Sequence, residues 1–234
     1  MANAGQVAAS PGDFAAVIHS ASSGGGDSAT YRRVYLEGAR NLQSRFPESR
    51  ILFTSSTSVY AQDSGEWVTE ESPAQPEHEA GKILREAEQH VLEHGGQVAR
   101  LGGIYGPGRS ALLQRVLRNE AVIDPENDRF VNQVHRDDAA AALLRLIDKE
   151  SGTGIYNVAD TEPVLLSECY RWLAERLIRP LPAVAKTAAE RRRGASNKRV
   201  SSQKLRALGW EAQYPSFAKG MEKSVLPNLA KMPL

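Results

Sequence analysis

The chain has 234 residues, with 29 Lys and Arg against 28 Asp and Glu and a net charge of +1, so overall charge draws it to neither nucleic acid nor an acidic membrane. Its length suits one large domain, or one domain with a small lobe, around a sizeable core. A single cysteine, Cys169, excludes an intramolecular disulfide, and no stretch is a secretory signal or long and apolar enough to span a bilayer; the expectation is a cytoplasmic protein with no membrane partner.

Short β-branched runs alternate with segments of helical period, the order of βαβ units around a parallel sheet. The first run, "AAVIHSAS" (15–22), is followed by a glycine loop and a helix with apolar positions Tyr31, Val34, Tyr35, Ala39 and Leu42, capped by Asp27 or Ser28. The second, "RILFTSSTSVY" (50–60), turns polar at its end, where open α/β sheets bind ligands. "EWVTEESPAQP" reads as loop. A helix over 79–94 stops at Gly95 and Gly96, and "QVARLGGIYGPG" continues as strand and loop. Asp137 and Asp138 open a helix, their charge suiting its dipole, and "GIYNVAD" (154–160) is another strand. The expected division is residues 1–162 as a partial α/β domain and residues 163–234 as a small C-terminal lobe to which the 103–135 loops contribute, with Trp172 and Trp210 as packing anchors.

Several motifs carry a chemical reading beside a plainer one. In "PEHEAGKILREAE", His78 and Lys82 lie four apart and so share a helical face. An imidazole can move a proton near neutrality, while an exposed histidine at a helix start is the plainer reading; Lys82 could equally pair with Glu86. Ser56 ends a polar strand, facing a cleft or satisfying a turn. Tyr60 and Tyr105 are alternative acids. Arg109, in "GIYGPGR", could fork onto a phosphate or carboxylate. His135 reads as a structural histidine at a helix entrance. "HVLEH" (90–94) spells an inverted zinc-protease motif without a third ligand. The basic tract "KTAAERRRGASNKRVSSQKLR" (186–206) has no aromatic for base stacking, so no nucleic-acid partner is expected.

Seven stretches in order, "AAVIHSAS", "VYLEGARNL", "FTSSTSVYA", "GKILREAE", "ARLGGIYGPGR", "VHRDDAAAAL" and "GIYNVADTEPV", resemble the NAD-dependent epimerase/dehydratase group of extended short-chain dehydrogenases/reductases over about residues 15–165. The resemblance implies an α/β fold: a Rossmann-like parallel sheet with flanking helices, lacking its first βαβ portion, plus the C-terminal lobe. No G-x-G-x-x-G turn precedes residue 15, and this turn holds the pyrophosphate of NAD or NADP. A longer form would therefore bind the cofactor, and this chain alone would bind it weakly or not at all. The missing strands would also invite self-association, a homodimer included.

The resemblance further implies catalysis by Ser56, His78 (where relatives carry tyrosine) and Lys82. Cofactor contacts would come from Ala21, Ser22, Lys82, Gly102 and Gly103, and substrate contacts from Ser56 and Arg109; no metal is implied. Relatives carry asparagine where this chain has Tyr35, and another near Gly103 that touches substrate. The implied activity is NAD(P)-dependent oxidoreduction or epimerisation of a hydroxyl-bearing small molecule, such as a sugar or sugar nucleotide. The alternative is a non-catalytic binding or scaffold protein that keeps the fold.

Overall fold

The computed structural model describes residues 4–148, 152–185 and 196–231. A short helix α1 (Ala4–Ala8) precedes strand β1 (Ala16–His19). The following helix comes in three pieces: α2 (Ser28–Tyr31), a π-helical stretch Arg32–Glu37, and α3 (Gly38–Arg45). Asp27 caps it, accepting the Thr30 amide at 2.9 Å. In the π-helical stretch the Val34 carbonyl accepts a hydrogen bond from His19 Nε2 at 3.1 Å; a widened turn frees a carbonyl for such an outside donor.

Strand β2 (Arg50–Ser56) runs into a 3-10 turn, Thr57–Val59, and then β3 (Trp67–Val68). Helix α4 (Glu79–Glu93) ends where Gly95 takes φ +76°, with the Gly96 amide donating to Val91 O at 2.9 Å and the Gly95 amide to Leu92 O at 3.0 Å. That is a Schellman cap, which needs glycine at the left-handed position. The chain continues through β4 (Gln97–Leu101), β5 (Gly103–Tyr105), α5 (Ala111–Leu117), β6 (Val122–Ile123), β7 (Phe130–Val131), β8 (Gln133–His135) and α6 (Arg136–Ile147). The last elements are β9 (Gly154–Val158), β10 (Val164–Leu165), α7 (Leu166–Arg176), β11 (Ala183–Val184), β12 (Arg199–Val200), α8 (Gln203–Arg206) and α9 (Phe217–Gly220).

The main sheet has order β1-β2-β4-β9, all parallel. Ile51, Phe53 and Val98 face α4 and the π-helical stretch, whereas Leu52, Ala99 and Tyr156 face α6. Burial on both faces explains why these strands read as nearly unbroken apolar runs. A third core joins Tyr105 and α5 to α7 and α9 through Leu113, Leu173, Phe217 and Met221. The segment after β12 returns to the sheet: Trp210 packs against α6, and its indole donates to Asp138 O at 3.2 Å. Trp172 instead meets Phe217 edge-on at 5.7 Å in the third core.

The loop reading of residues 66–76 is incomplete. Trp67–Val68 pairs in parallel with Arg199–Val200, a two-residue ladder joining positions far apart in the chain. No helix among the described residues is long and apolar enough to cross a membrane.

Candidate active site

The register of the main sheet fixes which loops meet. His19 pairs with Phe53 and Ser56 with Leu101, so residues 20–22, Ser56 and residues 102–103 emerge side by side at the carboxyl ends of adjacent strands. Ala21 is half-buried and Ser22 exposed. The glycine loop after them is tethered by Tyr35, whose hydroxyl accepts the Ser23 amide at 3.3 Å.

Ser56 is half-buried and its Oγ accepts the Ser58 amide at 3.1 Å, capping the 3-10 turn. The hydroxyl proton remains available to donate. Beneath it lies a sealed polar network. Ser55 Oγ donates to Glu88 Oε1 at 2.6 Å, and Arg100 reaches both Glu88 oxygens at 3.0 and 2.7 Å. Arg100 also donates to the Tyr60 hydroxyl at 2.8 Å, which donates to Asn157 Oδ1 at 2.9 Å. Arg85 adds a further ion pair to Glu88 from the helix surface. Burial opposes the charge on Arg100, but the bonds to Glu88 outweigh it and hold its pKa above the ordinary value. Together these groups brace the strand that ends in Ser56.

The two glycines differ. A Cβ on buried Gly102 would come within 2.9 Å of Asn132 O, so backbone packing demands glycine there. Gly103 is exposed, and a Cβ there would find Asn132 O at 3.5 Å, an ordinary contact. Backbone packing therefore does not demand glycine at 103 as it does at 102.

His78 and Lys82 begin α4. The His78 carbonyl accepts the Lys82 amide at 3.1 Å, and both residues are exposed. The face of α4 turned inward carries Gly81, Leu84, Glu88 and Val91. Lys82 points the other way, 3.9 Å from Glu79, and lines an outer groove of about 670 Å³ with Arg40, Arg85, Glu86 and His90. Ser56 is not among the walls of that groove. The structure thus groups Ser56 with residues 20–22 and Gly103, and directs Lys82 elsewhere.

Tyr60 and Tyr105 are each only 1% exposed, and burial pushes the pKa of both hydroxyls up. Neither presents a proton to a cleft. Arg109 is exposed, its backbone bridging to Gly106. His135 is fully buried, caps α6 by accepting the Asp137 amide at 3.3 Å, and lies 3.0 Å from Ser224 Oγ; burial lowers its pKa. It is structural. In "HVLEH" the rings of His90 and His94 lie 4.4 Å apart, tilted by 47°, and no group of three metal-ligating side chains occurs among the described residues. Residues 186–195 of the basic tract lie outside the described residues. Its described part is integrated into the fold: Arg199 sits between the Trp67 and Phe130 rings, 5.3 and 5.0 Å from their centroids, and Lys198 is buried.

No family model matches the chain. Protein YeeZ of Escherichia coli K12 is 31% identical over 179 residues, 74% of this chain. The match covers 61% of that protein, so the chain spans about three fifths of the curated relatives it matches. A structure from Methylobacillus flagellatus assigned as an NAD-dependent epimerase/dehydratase is 31% identical, with a TM-score of 0.73 over 87% of this chain and 74% of that one. MoeE5, solved with UDP-glucuronic acid and NAD, shares the fold at 20% identity and a TM-score of 0.73 over 87% and 73% of the two chains.

Proposed function

Because the chain belongs to the NAD-dependent epimerase/dehydratase family, we propose that it forms the substrate side of an NAD(P)-dependent oxidoreductase or epimerase acting on a hydroxyl-bearing small molecule, a sugar or sugar nucleotide. The observation that carries this reading is the meeting of residues 20–22, Ser56 and Gly103 at the carboxyl ends of three parallel strands, the place where open α/β sheets take ligands. The sugar-nucleotide class rests on the likeness to MoeE5.

The fit to a dinucleotide is partial. Ala21, Ser22 and Gly103 suit the nicotinamide end. Among the described residues before β1 there is a five-residue helix and no strand-to-helix glycine turn for the pyrophosphate. When bound, the nicotinamide would supply hydride transfer at the carbinol carbon. Ser56 orients the substrate oxygen by donating its remaining proton. His78, exposed at the start of α4, is the proposed proton carrier. Lys82 is assigned the surface pair with Glu79 in place of a ribose contact, because its side chain is 56% exposed.

The second reading is a binding protein that keeps the fold without the chemistry, and the outward Lys82 favours it. Titrating UDP-glucose into the protein saturated with NADH, then assaying turnover over a panel of sugar nucleotides with NAD and NADP, separates the two. Binding with turnover that Ser56→Ala abolishes supports the enzyme. Binding without turnover on any member supports the second reading.

A further inference from the structure

Beyond the end of the edge strand β9, a pocket of about 330 Å³ opens between β3, the residues after β9, and α8, and Ser56 is not among its walls. Trp67, Thr69, Asp160, Ser201, Gln203 and Arg206 are among its walls. Its size is at the small end of ligand pockets, which run from roughly 300 to 1,000 Å³.

Asp160 is 3% exposed, and its Oδ1 is buried with no hydrogen-bond partner. A buried acceptor without a donor is costly and calls for one. Its surroundings are acidic. The Glu162 backbone hydrogen-bonds the Asp160 carboxylate, leaving Oδ1 without a partner, while the Glu162 side chain and Asp138, from α6, both add negative charge. Asp138 is itself satisfied by the Gln213 and Tyr214 amides at 2.7 and 3.0 Å. Tyr105 and Cys169 also lie within range of Asp160; burial holds both neutral, and neither side chain can carry a positive charge to offset the carboxylate.

The rim has the opposite character. Arg206 is exposed, and among the described residues its guanidinium has no carboxylate within ion-pairing distance. Trp67 is 50% exposed, an apolar surface at the same opening.

We propose that this pocket binds a free α-amino acid: the ammonium group donates to Asp160, the carboxylate pairs with Arg206, and the side chain lies against Trp67. A neutral sugar would satisfy Asp160 Oδ1 without using Arg206, and a carboxylic acid would use Arg206 and leave Asp160 Oδ1 without a donor. The zwitterion uses both. Burial and the neighbouring carboxylates raise the Asp160 pKa well above the ordinary value, so an arriving ammonium group should drive off its proton and binding should strengthen as pH rises.

The test is calorimetric titration of the whole chain with L-leucine, n-butylamine, isovalerate and glucose. L-Leucine is expected to bind, with proton release read from the dependence of the heat on buffer. n-Butylamine should bind at least tenfold more weakly, and isovalerate and glucose should give no heat. Arg206→Gln, at an exposed site, should bring leucine down to the level of n-butylamine, and Asp160→Asn should abolish leucine binding. Absence of leucine binding, glucose or isovalerate binding as tightly as leucine, or an undiminished preference for leucine in Arg206→Gln would each overturn the proposal.

Discussion

Glu88 and Arg100 form a two-pronged ion pair, at 3.0 and 2.7 Å, with side chains 0% and 1% exposed between α4 and β4. Removing one partner leaves a charge buried without its mate. Glu88→Ala should therefore cost about 3–5 kcal/mol. Replacing both, as Glu88→Leu with Arg100→Met, should restore much of that loss, because an apolar pair of similar volume avoids desolvation. Urea denaturation of the single and double variants checks this; a double variant as unstable as the single would count against the ion pair as the cause.

Lys198 gives a pH signature. Burial, with a smaller contribution from Arg129, lowers its pKa to about 8 from 10.5, and its ammonium donates to Tyr60 O at 2.9 Å. Below about pH 8 both folded and unfolded chains carry this proton, and the burial cost is fully present. Between 8 and 10.5 the unfolded chain holds more protons, so this residue makes stability rise with pH. Relative to Lys198→Met, the wild type should gain up to about 3 kcal/mol across that window. A constant difference between the two, measured by denaturant midpoint at each pH, would show that the lysine is not held at a lowered pKa.

Gly220 touches Tyr105. A Cβ there would lie 1.9 Å from the tyrosine hydroxyl, which otherwise donates to Ser216 O at 3.4 Å. Gly220→Ala should cost about 1–3 kcal/mol through overpacking, and Tyr105→Phe combined with it should recover part of the loss. Thermal melting of the two variants measures this; Gly220→Ala melting with the wild type would mean that α9 shifts freely.

The parallel sheet and its order of elements were legible because both faces of each strand are buried and each helix carries an amphipathic stripe. The cap at Asp27, the stop at Gly95 and Gly96 and the structural role of His135 followed from local chemistry for the same reason. What escaped depends on distant pairing. The ladder of β3 with β12 is two residues long, too short for a periodic signal, and joins positions 67 and 199. The Glu88–Arg100–Tyr60 network draws on three elements whose polar residues look like surface in the sequence. The four-residue spacing of His78 and Lys82 implied a shared helical face, but His78 is the extended N-cap ahead of the helix, and spacing alone does not say which face meets the sheet. The buried residues Gly81, Leu84 and Glu88 turn Lys82 outward. Lys82→Ala should consequently leave turnover of any identified substrate within about twofold, whereas Ser56→Ala should lower it by about 10²-fold or more; the reverse ranking would return Lys82 to the site.

The most direct test of the strand-end site is an equilibrium titration of the chain with NADH, wild type against Gly103→Leu. Gly103 is exposed, and a Cβ there would make only ordinary contacts with Asn132 O at 3.5 Å and Gln133 Cγ at 3.9 Å, so the substitution is expected to block the proposed nicotinamide position, with the melting temperature of the variant checking that the fold is kept. Weak binding is predicted for the wild type, with a dissociation constant on the order of 0.1–1 mM, because the pyrophosphate turn is absent from the described residues, and Gly103→Leu should weaken it at least tenfold. Micromolar binding by the wild type, or equal binding by the two proteins, would contradict the account.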